Sequence, residues 1–220
     1  FTGYNEKNGV NITTGKEFYE VTARQVERAK VKPHPLGVLA VTQDLKPLLA
    51  IRTYRELLFP LPCDKEITAE AKEAGEILAA SGLLSFLEKN HDAPAPFFFR
   101  LEVRGTMSYE EKNTFVKKTA AVIEEKTGRK LINSTTDYEV EVRLIKTRSG
   151  RFFPCVKLFT IPMKRFAYRK NSIAASMHPS QAALLMQLVK PYLKEDAQIL
   201  DPFCGVGTML IERDRLVPAR

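Results

Sequence analysis

The sequence has few of the residues that build metal centres and disulfide frameworks. Its 220 residues include three cysteines, three histidines and no tryptophan. Cys63, Cys155 and Cys204 are odd in number, far apart in the chain, and form no metal-ligand pair. This usage is typical of a reducing compartment, so we expect a cytoplasmic protein that holds no metal.

Long apolar segments are also absent. No run of 18 or more apolar residues occurs, and a membrane-spanning helix needs about that length. The first residues, FTGYNEKNGVNITTGK, lack the basic and apolar regions of a secretory signal. We therefore expect a protein without membrane association.

Acidic residues are in deficit. The 34 Lys and Arg residues exceed the 26 Asp and Glu residues, which gives a formal net charge of +8. Such a surplus favours a polyanionic partner, because cations that neutralise phosphates release condensed counterions. The basic segment 146–170 contains no acidic residue, and five aromatic residues are interleaved with its cations.

The basic segment has two interpretations. In the simpler one, its aromatic rings belong to the core and its cations are only solvated. In the other, cations bind RNA phosphates and an exposed ring or two stacks on bases. We expect the simpler interpretation for most rings and the RNA-facing one for the cations. The expected phosphate-binding residues are Arg148, Arg151, Lys157, Lys164, Arg165 and Arg169.

The middle of the chain has the clearest secondary-structure pattern. Residues 98–104 and 138–144 alternate apolar and polar residues, which predicts two strands, and residues 151–161 predict a third. Between the first two, Ser108 and Glu111 form a capping-box signature for a helix that ends near Gly128. The buried side of that helix is expected to carry Phe115, Thr119 and Ile123. These elements predict a small α/β module over residues 95–161.

The first third of the chain is less clearly patterned. Residues 36–59 predict a strand, a turn at Gln43 and Asp44, and then a helix that continues to the proline pair at 60 and 62. A further helix is predicted over residues 69–89.

The last part of the chain contains a glycine loop. A short apolar run at 198–200 predicts a strand, the string DPFCGVGT follows it, and a helix is predicted from about Thr208. A cofactor that lies over the end of a strand needs small residues there, and Gly205 and Gly207 meet that need. A Gly-x-Gly string alone also occurs in ordinary turns. Leu210 stands where a dinucleotide fingerprint has its third glycine, and no phosphate-loop lysine follows.

The full string DPFCGVGTMLIE resembles the first S-adenosylmethionine motif of methyltransferases that modify nucleic-acid bases, with Val206 in place of Ser or Thr. Upstream, FAYR at 166–169 and MHPSQAAL at 177–184 resemble the linker and first helix of THUMP-containing RNA methyltransferases. The module at 95–161 is similar to the THUMP domain, and residues 36–59 resemble the end of the ferredoxin-like domain that precedes it. Residues 1–30 match nothing in that family.

The resemblance implies an α/β fold with an α+β N-terminal part. The implied domains are a ferredoxin-like part over 1–62, a THUMP-like RNA-binding module over 63–165, and a linker with an incomplete Rossmann-like domain over 166–220. The implied cofactor is S-adenosylmethionine, and Thr208 and Glu212 are expected to be structural. The residues implied to line the cofactor pocket are Asp201, Phe203, Cys204, Gly205, Gly207 and His178.

The acceptor motif of that family, Asn/Asp-Pro-Pro-Tyr/Phe, does not occur in these 220 residues. We therefore assign no catalytic residue and expect this chain alone to be inactive. Because a parallel sheet that lacks strands leaves apolar faces uncovered, residues 171–220 are expected to be poorly packed or to rely on another chain.

The resemblance implies methylation of the exocyclic amine of a guanine in tRNA. A guanine in rRNA is the alternative with the same chemistry. A non-catalytic RNA-binding fragment, and an α/β protein that uses the glycine loop for another small molecule, are the alternatives of other classes.

Overall fold

The computed structural model describes residues 10–13, 18–27, 29–42, 44–161, 163–171 and 173–219. Leu58–Pro162 belong to one compact unit, unit 1. Unit 2 combines Asn11–Leu57 with Met163–Arg220. Unit 2 thus joins an N-terminal and a C-terminal segment of the chain, and the predicted domain boundaries at residues 62 and 165 stay predictions.

The described elements, in chain order, are β1 (Val10–Thr13), α1 (Tyr19–Ala23), β2 (Lys30–His34), β3 (Gly37–Val41), α2 (Lys46–Ala50), β4 (Leu57–Pro60), α3 (Ala71–Ala80), α4 (Leu83–Asn90), β5 (Phe97–Arg104), α5 (Tyr109–Lys126), β6 (Leu131–Asn133), β7 (Val140–Lys146), β8 (Phe152–Leu158), α6 (Pro179–Val189) and α7 (Thr208–Leu216). They make a mixed α/β protein, which confirms the expected fold class. Within the described part of the chain, no helix is long and apolar enough to cross a membrane.

Unit 1 is a mixed sheet with helices. Its strand order is β4-β8-β7-β5-β6. The central strand β5 pairs in parallel with β6 and β7, whereas β8 is antiparallel to β7 and to β4. Phe97, Phe99, Leu101 and Val103 of β5 are all buried, which places that face of the sheet in the core.

Local signals set the ends of α5 as predicted. The Ser108 hydroxyl accepts a hydrogen bond from the Glu111 amide at 3.2 Å, and the Glu111 carboxylate accepts one from the Ser108 amide at 3.0 Å. Phe115, Thr119 and Ile123 are buried on the helix face that meets the core. Gly128 follows the helix with a φ of +57°, the left-handed conformation that glycine adopts at low cost.

Two helix predictions were wrong in extent. The helix expected up to residue 59 ends at Ala50 as the short α2, and Leu57 and Leu58 begin β4 instead. The helix expected over 69–89 is two helices, because Ser81 is extended (φ −65°, ψ 166°) and ends α3. The expected turn at Gln43 lies outside the described residues.

Unit 2 contains a three-stranded group in the order β2-β3-β1, with β2 and β3 antiparallel. Residues 198–200, predicted as a strand, form none, and no described strand pairs with them. Several apolar side chains are exposed along residues 173–203. They are Ile173, Met177, Leu185, Leu188, Val189, Tyr192, Ile199, Leu200 and Phe203.

Candidate functional site

The glycine loop between Asp201 and α7 is a chain of tight turns. The Cys204 amide donates to the Asp201 carbonyl at 3.3 Å, and the Gly207 amide donates to the Cys204 carbonyl at 2.9 Å. The Asp201 carboxylate accepts a hydrogen bond from the Phe203 amide at 2.9 Å, which orients the start of the loop. Gly205 and Gly207 have φ values of +57° and +72°, so the turns require residues that tolerate the left-handed region.

The space above the loop is open. A Cβ atom added at Gly205 would meet no heavy atom within 4 Å. Gly207 is the N-cap of α7 and makes no side-chain capping bond, and the first amides of a helix have no acceptor within the helix. The loop therefore offers a ligand a close approach to backbone and a set of donors at one helix end.

The predicted pocket residues of the loop lie together, whereas His178 has a separate structural role. Its imidazole Nδ1 accepts a hydrogen bond from the Ser180 amide at 3.2 Å, so His178 is the N-cap of α6. The same Nδ1 lies 2.7 Å from the Ser180 hydroxyl. Burial lowers the pKa of His178, and the positive charges of Arg55, Arg169 and Arg165 lower it further. A position beside the cofactor stays a prediction for this residue.

Glu212 of α7 is a buried acid with three hydrogen bonds from two side chains. Its side chain is 1% exposed and accepts two hydrogen bonds from the Arg52 guanidinium, at 2.7 and 2.6 Å. The Tyr168 hydroxyl donates to the same carboxylate at 2.6 Å. Burial and the bond to Glu212 raise the pKa of Tyr168, and the bond to Glu212 raises the pKa of Arg52. In this structure Glu212 therefore connects α7 to Arg52 and Tyr168, which is consistent with the structural role expected for it.

The Arg165 guanidinium, one of the expected phosphate-binding cations, contacts groups of unit 2. It donates to the carbonyls of Ile51 at 2.6 Å and Arg55 at 3.0 Å. It also lies 3.8 Å from the centre of the Tyr54 ring. The guanidinium is therefore engaged by partners within unit 2, and its burial lowers the pKa of Arg165. A phosphate contact of Arg165 stays a prediction.

The other predicted cations differ in their surroundings. Arg148 and Lys164 are exposed, whereas Arg169 is half-buried and its Nε has no hydrogen-bond partner. Arg151 is exposed and forms an ion pair with Glu66. Lys157 lies 4.9 Å from the centre of the Phe159 ring.

The five aromatic rings of the basic segment differ in burial: Phe152 is buried, Phe159 is exposed, and Phe153, Phe166 and Tyr168 are half-buried. Phe152 is buried and stacks on Phe115 with ring centres 5.5 Å apart. Phe166 and Tyr168 lie beneath the Arg52 guanidinium, at 4.9 and 5.7 Å from it. Phe159 differs, since 46% of it is exposed. Only Phe159 among these has a large exposed ring surface for a base.

Sequence reasoning missed Arg52. Arg52 falls in the part of the chain predicted as a helix, and the structure places it in the non-helical segment after α2. No local signal pairs it with Glu212, because 160 positions separate them. Among the described residues, no group of three or more His, Cys, Asp or Glu side chains could hold a metal ion.

Comparisons with known proteins agree with this site. Residues 167–219 match the family model described as UPF0020, RMKL-like, methyltransferase domain. That match covers the linker, α6, the glycine loop and α7. No curated protein matches the chain.

Two solved structures share the fold over nearly the whole chain. TrmN from Thermus thermophilus is 19% identical with a TM-score of 0.60, and the alignment covers 96% of this chain and 63% of TrmN. A predicted N6-adenine-specific DNA methylase from Listeria monocytogenes is also 19% identical, with a TM-score of 0.63 and coverage of 96% and 55%.

A third solved structure bears on the cofactor. SMU.472, a putative methyltransferase complexed with SAH, is 13% identical with a TM-score of 0.62, and the alignment covers 95% of this chain and 55% of that one. The chain thus spans between 55% and 63% of the length of these three structures. The methyltransferase-domain match supports S-adenosylmethionine as the cofactor.

Proposed function

We propose that this chain is the N-terminal portion of an S-adenosylmethionine-dependent RNA methyltransferase. The observation that carries the proposal is the loop at 201–207, which has left-handed glycines, open space above Gly205 and an uncapped helix start. The match of residues 167–219 to a methyltransferase domain supports the same assignment.

The loop residues fit the proposed cofactor chemically. The open space at Gly205 accepts a ligand in direct contact with the backbone, where any side chain would intrude. The Asp201 carboxylate accepts a hydrogen bond from the Phe203 amide, which orders the start of the loop. Gly207 is the N-cap of α7, so the loop leads directly into the first turn of that helix. When bound, the cofactor would supply an electrophilic methyl group. The role of this chain is to bind and orient the cofactor.

The proposed substrate is tRNA, and the proposed methyl acceptor is a guanine exocyclic amine. The basic segment supports an RNA partner, since Arg148 and Lys164 are exposed and the segment contains no acid. A guanine in rRNA is the alternative substrate. A non-catalytic RNA-binding fragment is the alternative function, and the missing acceptor motif favours it for the isolated chain.

Calorimetric titration with S-adenosylmethionine tests the proposal. It is run on this chain and on the protein extended by about 150 residues, the size of a typical domain. We expect the extended protein to bind the cofactor and Gly205→Ala to abolish binding, because the new Cβ would occupy the ligand's space.

A matched control separates ligand contact from backbone strain. Gly128 also has a φ of +57° and also has no heavy atom within 4 Å of an added Cβ. Gly128→Ala in unit 1 therefore imposes a similar backbone strain and should leave cofactor binding unchanged. No binding by either length of protein would overturn the methyltransferase proposal and favour the RNA-binding fragment.

A further inference from the structure

We infer that Arg52 is a positioning residue for the cofactor loop, acting through Glu212 on the first turns of α7. The inference rests on the proposed function, because it assumes that the loop at 201–207 binds the cofactor. It gives the segment 51–55, which belongs to unit 2 as the loop does, a role in that binding. The resemblance had instead implied a separate N-terminal ferredoxin-like part for this segment.

The contact is specific in its geometry. Arg52 presents Nε and Nη2 to the two carboxylate oxygens of Glu212 at 2.7 and 2.6 Å, a paired arrangement that fixes direction as well as distance. The Tyr168 hydroxyl holds one of the same oxygens at 2.6 Å. Three donors from two separate segments thus determine where the Glu212 side chain lies.

The position of Glu212 in α7 explains why it controls the loop. α7 begins at Thr208, and residues four apart lie on the same side of a helix. Thr208 and Glu212 are both buried on that side. Holding Glu212 therefore sets the rotation of the helix about its axis, and with it the direction of the first-turn amides that follow Gly205 and Gly207.

Arg52 is itself held by the linker. Its Nη1 donates to the carbonyl of Arg165, and Arg165 in turn donates to the carbonyls of Ile51 and Arg55. The segment on either side of Arg52 is therefore fixed to the linker by two interlocking arginines. This anchoring lets Arg52 act on α7 as a rigid support, since its own backbone is not free to follow Glu212.

Amide hydrogen exchange on this chain tests the positioning. The variant is Arg52→Ala, with Arg52→Lys as a milder change that keeps the charge and loses the paired contact. The matched control is Tyr54→Phe, two residues away, which removes the buried bond from the Tyr54 hydroxyl to the Leu48 carbonyl at 2.8 Å and keeps the ring under Arg165. Global stability of each variant is measured alongside.

We expect exchange of the Ile211 amide, which donates to the Gly207 carbonyl at 2.9 Å, to rise by about tenfold or more in Arg52→Ala and by less in Arg52→Lys. At a urea concentration that gives Tyr54→Phe the same global stability as Arg52→Ala, Tyr54→Phe should leave it unchanged. Equal increases in Arg52→Ala and Tyr54→Phe, or no increase in Arg52→Ala, would overturn the inference.

Cofactor affinity in the extended protein supplies a second measurement. S-adenosylhomocysteine should bind Arg52→Ala about tenfold or more weakly, since small displacements of positioning groups have effects of that order, whereas Tyr54→Phe should bind as the unmodified protein does. Unchanged binding by Arg52→Ala would overturn the inference and leave the proposed function intact. No binding by the unmodified extended protein would overturn the proposed function, and the exchange experiment would then decide alone whether Arg52 orders α7.

Discussion

The guanidinium of Arg52 lies 2.6 and 2.7 Å from the two carboxylate oxygens of Glu212, although 160 positions separate these residues in the chain. The Glu212 side chain is 1% exposed and the Arg52 side chain 23% exposed, so the pair is largely removed from water. A buried pair of this kind contributes little net stability, yet either charge is costly when its partner is removed.

Removing Arg52 alone should therefore destabilise unit 2 more than removing the pair. We expect Arg52→Met to lower the free energy of unfolding by about 3–5 kcal/mol, because Glu212 would stay buried without its cation. Adding Glu212→Leu should recover most of that loss. Urea unfolding followed by circular dichroism measures both, and a double variant no more stable than Arg52→Met would contradict the prediction.

The cap of α6 should weaken in mild acid. The folded pKa of His178 lies below its ordinary value of 6.5, so the unfolded chain takes up a proton first as the pH falls. The resulting contribution to stability is present above about pH 6.5 and is lost as the pH falls towards the folded pKa. A protonated Nδ1 also cannot accept the hydrogen bond from the Ser180 amide.

The variant His178→Asn isolates this effect, because asparagine is a good N-cap and does not titrate. We expect its thermal unfolding to depend less on pH between about 6.5 and 5 than that of the unmodified chain. Burial also lowers the pKa of His34, and that contribution is common to both proteins. Identical pH dependence in the two would show that His178 is not responsible.

RNA binding should depend on the exposed cations of the basic segment. We expect Arg148→Gln and Lys164→Gln each to weaken the binding of a tRNA transcript and to reduce the slope of log affinity against log salt by about 1, as the loss of one phosphate contact predicts. Fluorescence anisotropy over a range of salt concentrations measures both quantities.

The control for that series is Lys117→Gln, which removes an exposed cation of α5 outside the basic segment. It should change the slope less than either variant of the segment. Equal effects of all three would mean that the protein binds RNA through its net charge and has no phosphate-binding surface in the basic segment.

The packing of α3 on α5 should tolerate no side chain at Gly75. A Cβ added there would lie 2.6 Å from the Val122 Cβ and 2.9 Å from the Thr119 carbonyl oxygen. We expect Gly75→Ala to destabilise unit 1 by about 1–3 kcal/mol, as overpacked cores do. Gly82→Ala is the control, since the nearest atom to its added Cβ is 4.0 Å away. Chemical unfolding that ranks the two variants equally would contradict this account.

The elements predicted well were those whose signals are local. The capping box of α5 spans three residues, its buried stripe repeats within the helix, and β5 and β7 show their alternation within single strands. Each of these patterns depends on a few neighbouring residues, so the sequence carries it in full.

The errors have a different origin. Leu57 and Leu58 fit a helical stripe as well as a buried strand, and the pairing of β4 with β8, almost a hundred residues further on, decides between the two. Residues 198–200 have the composition of a strand but no described partner to pair with.

The discontinuous course of the chain also has a consequence for the order of events during synthesis. Unit 2 is interrupted by Leu58–Pro162, so the ribosome completes that whole insertion before it makes the second half of unit 2. At roughly 5–20 residues per second, Arg52 is added to the chain about 8–32 s before Glu212, 160 positions later. The inserted segment is continuous and has time to fold during that interval. The nascent N-terminal part cannot complete unit 2 until Glu212 is made, so Arg52 lacks its carboxylate partner until then.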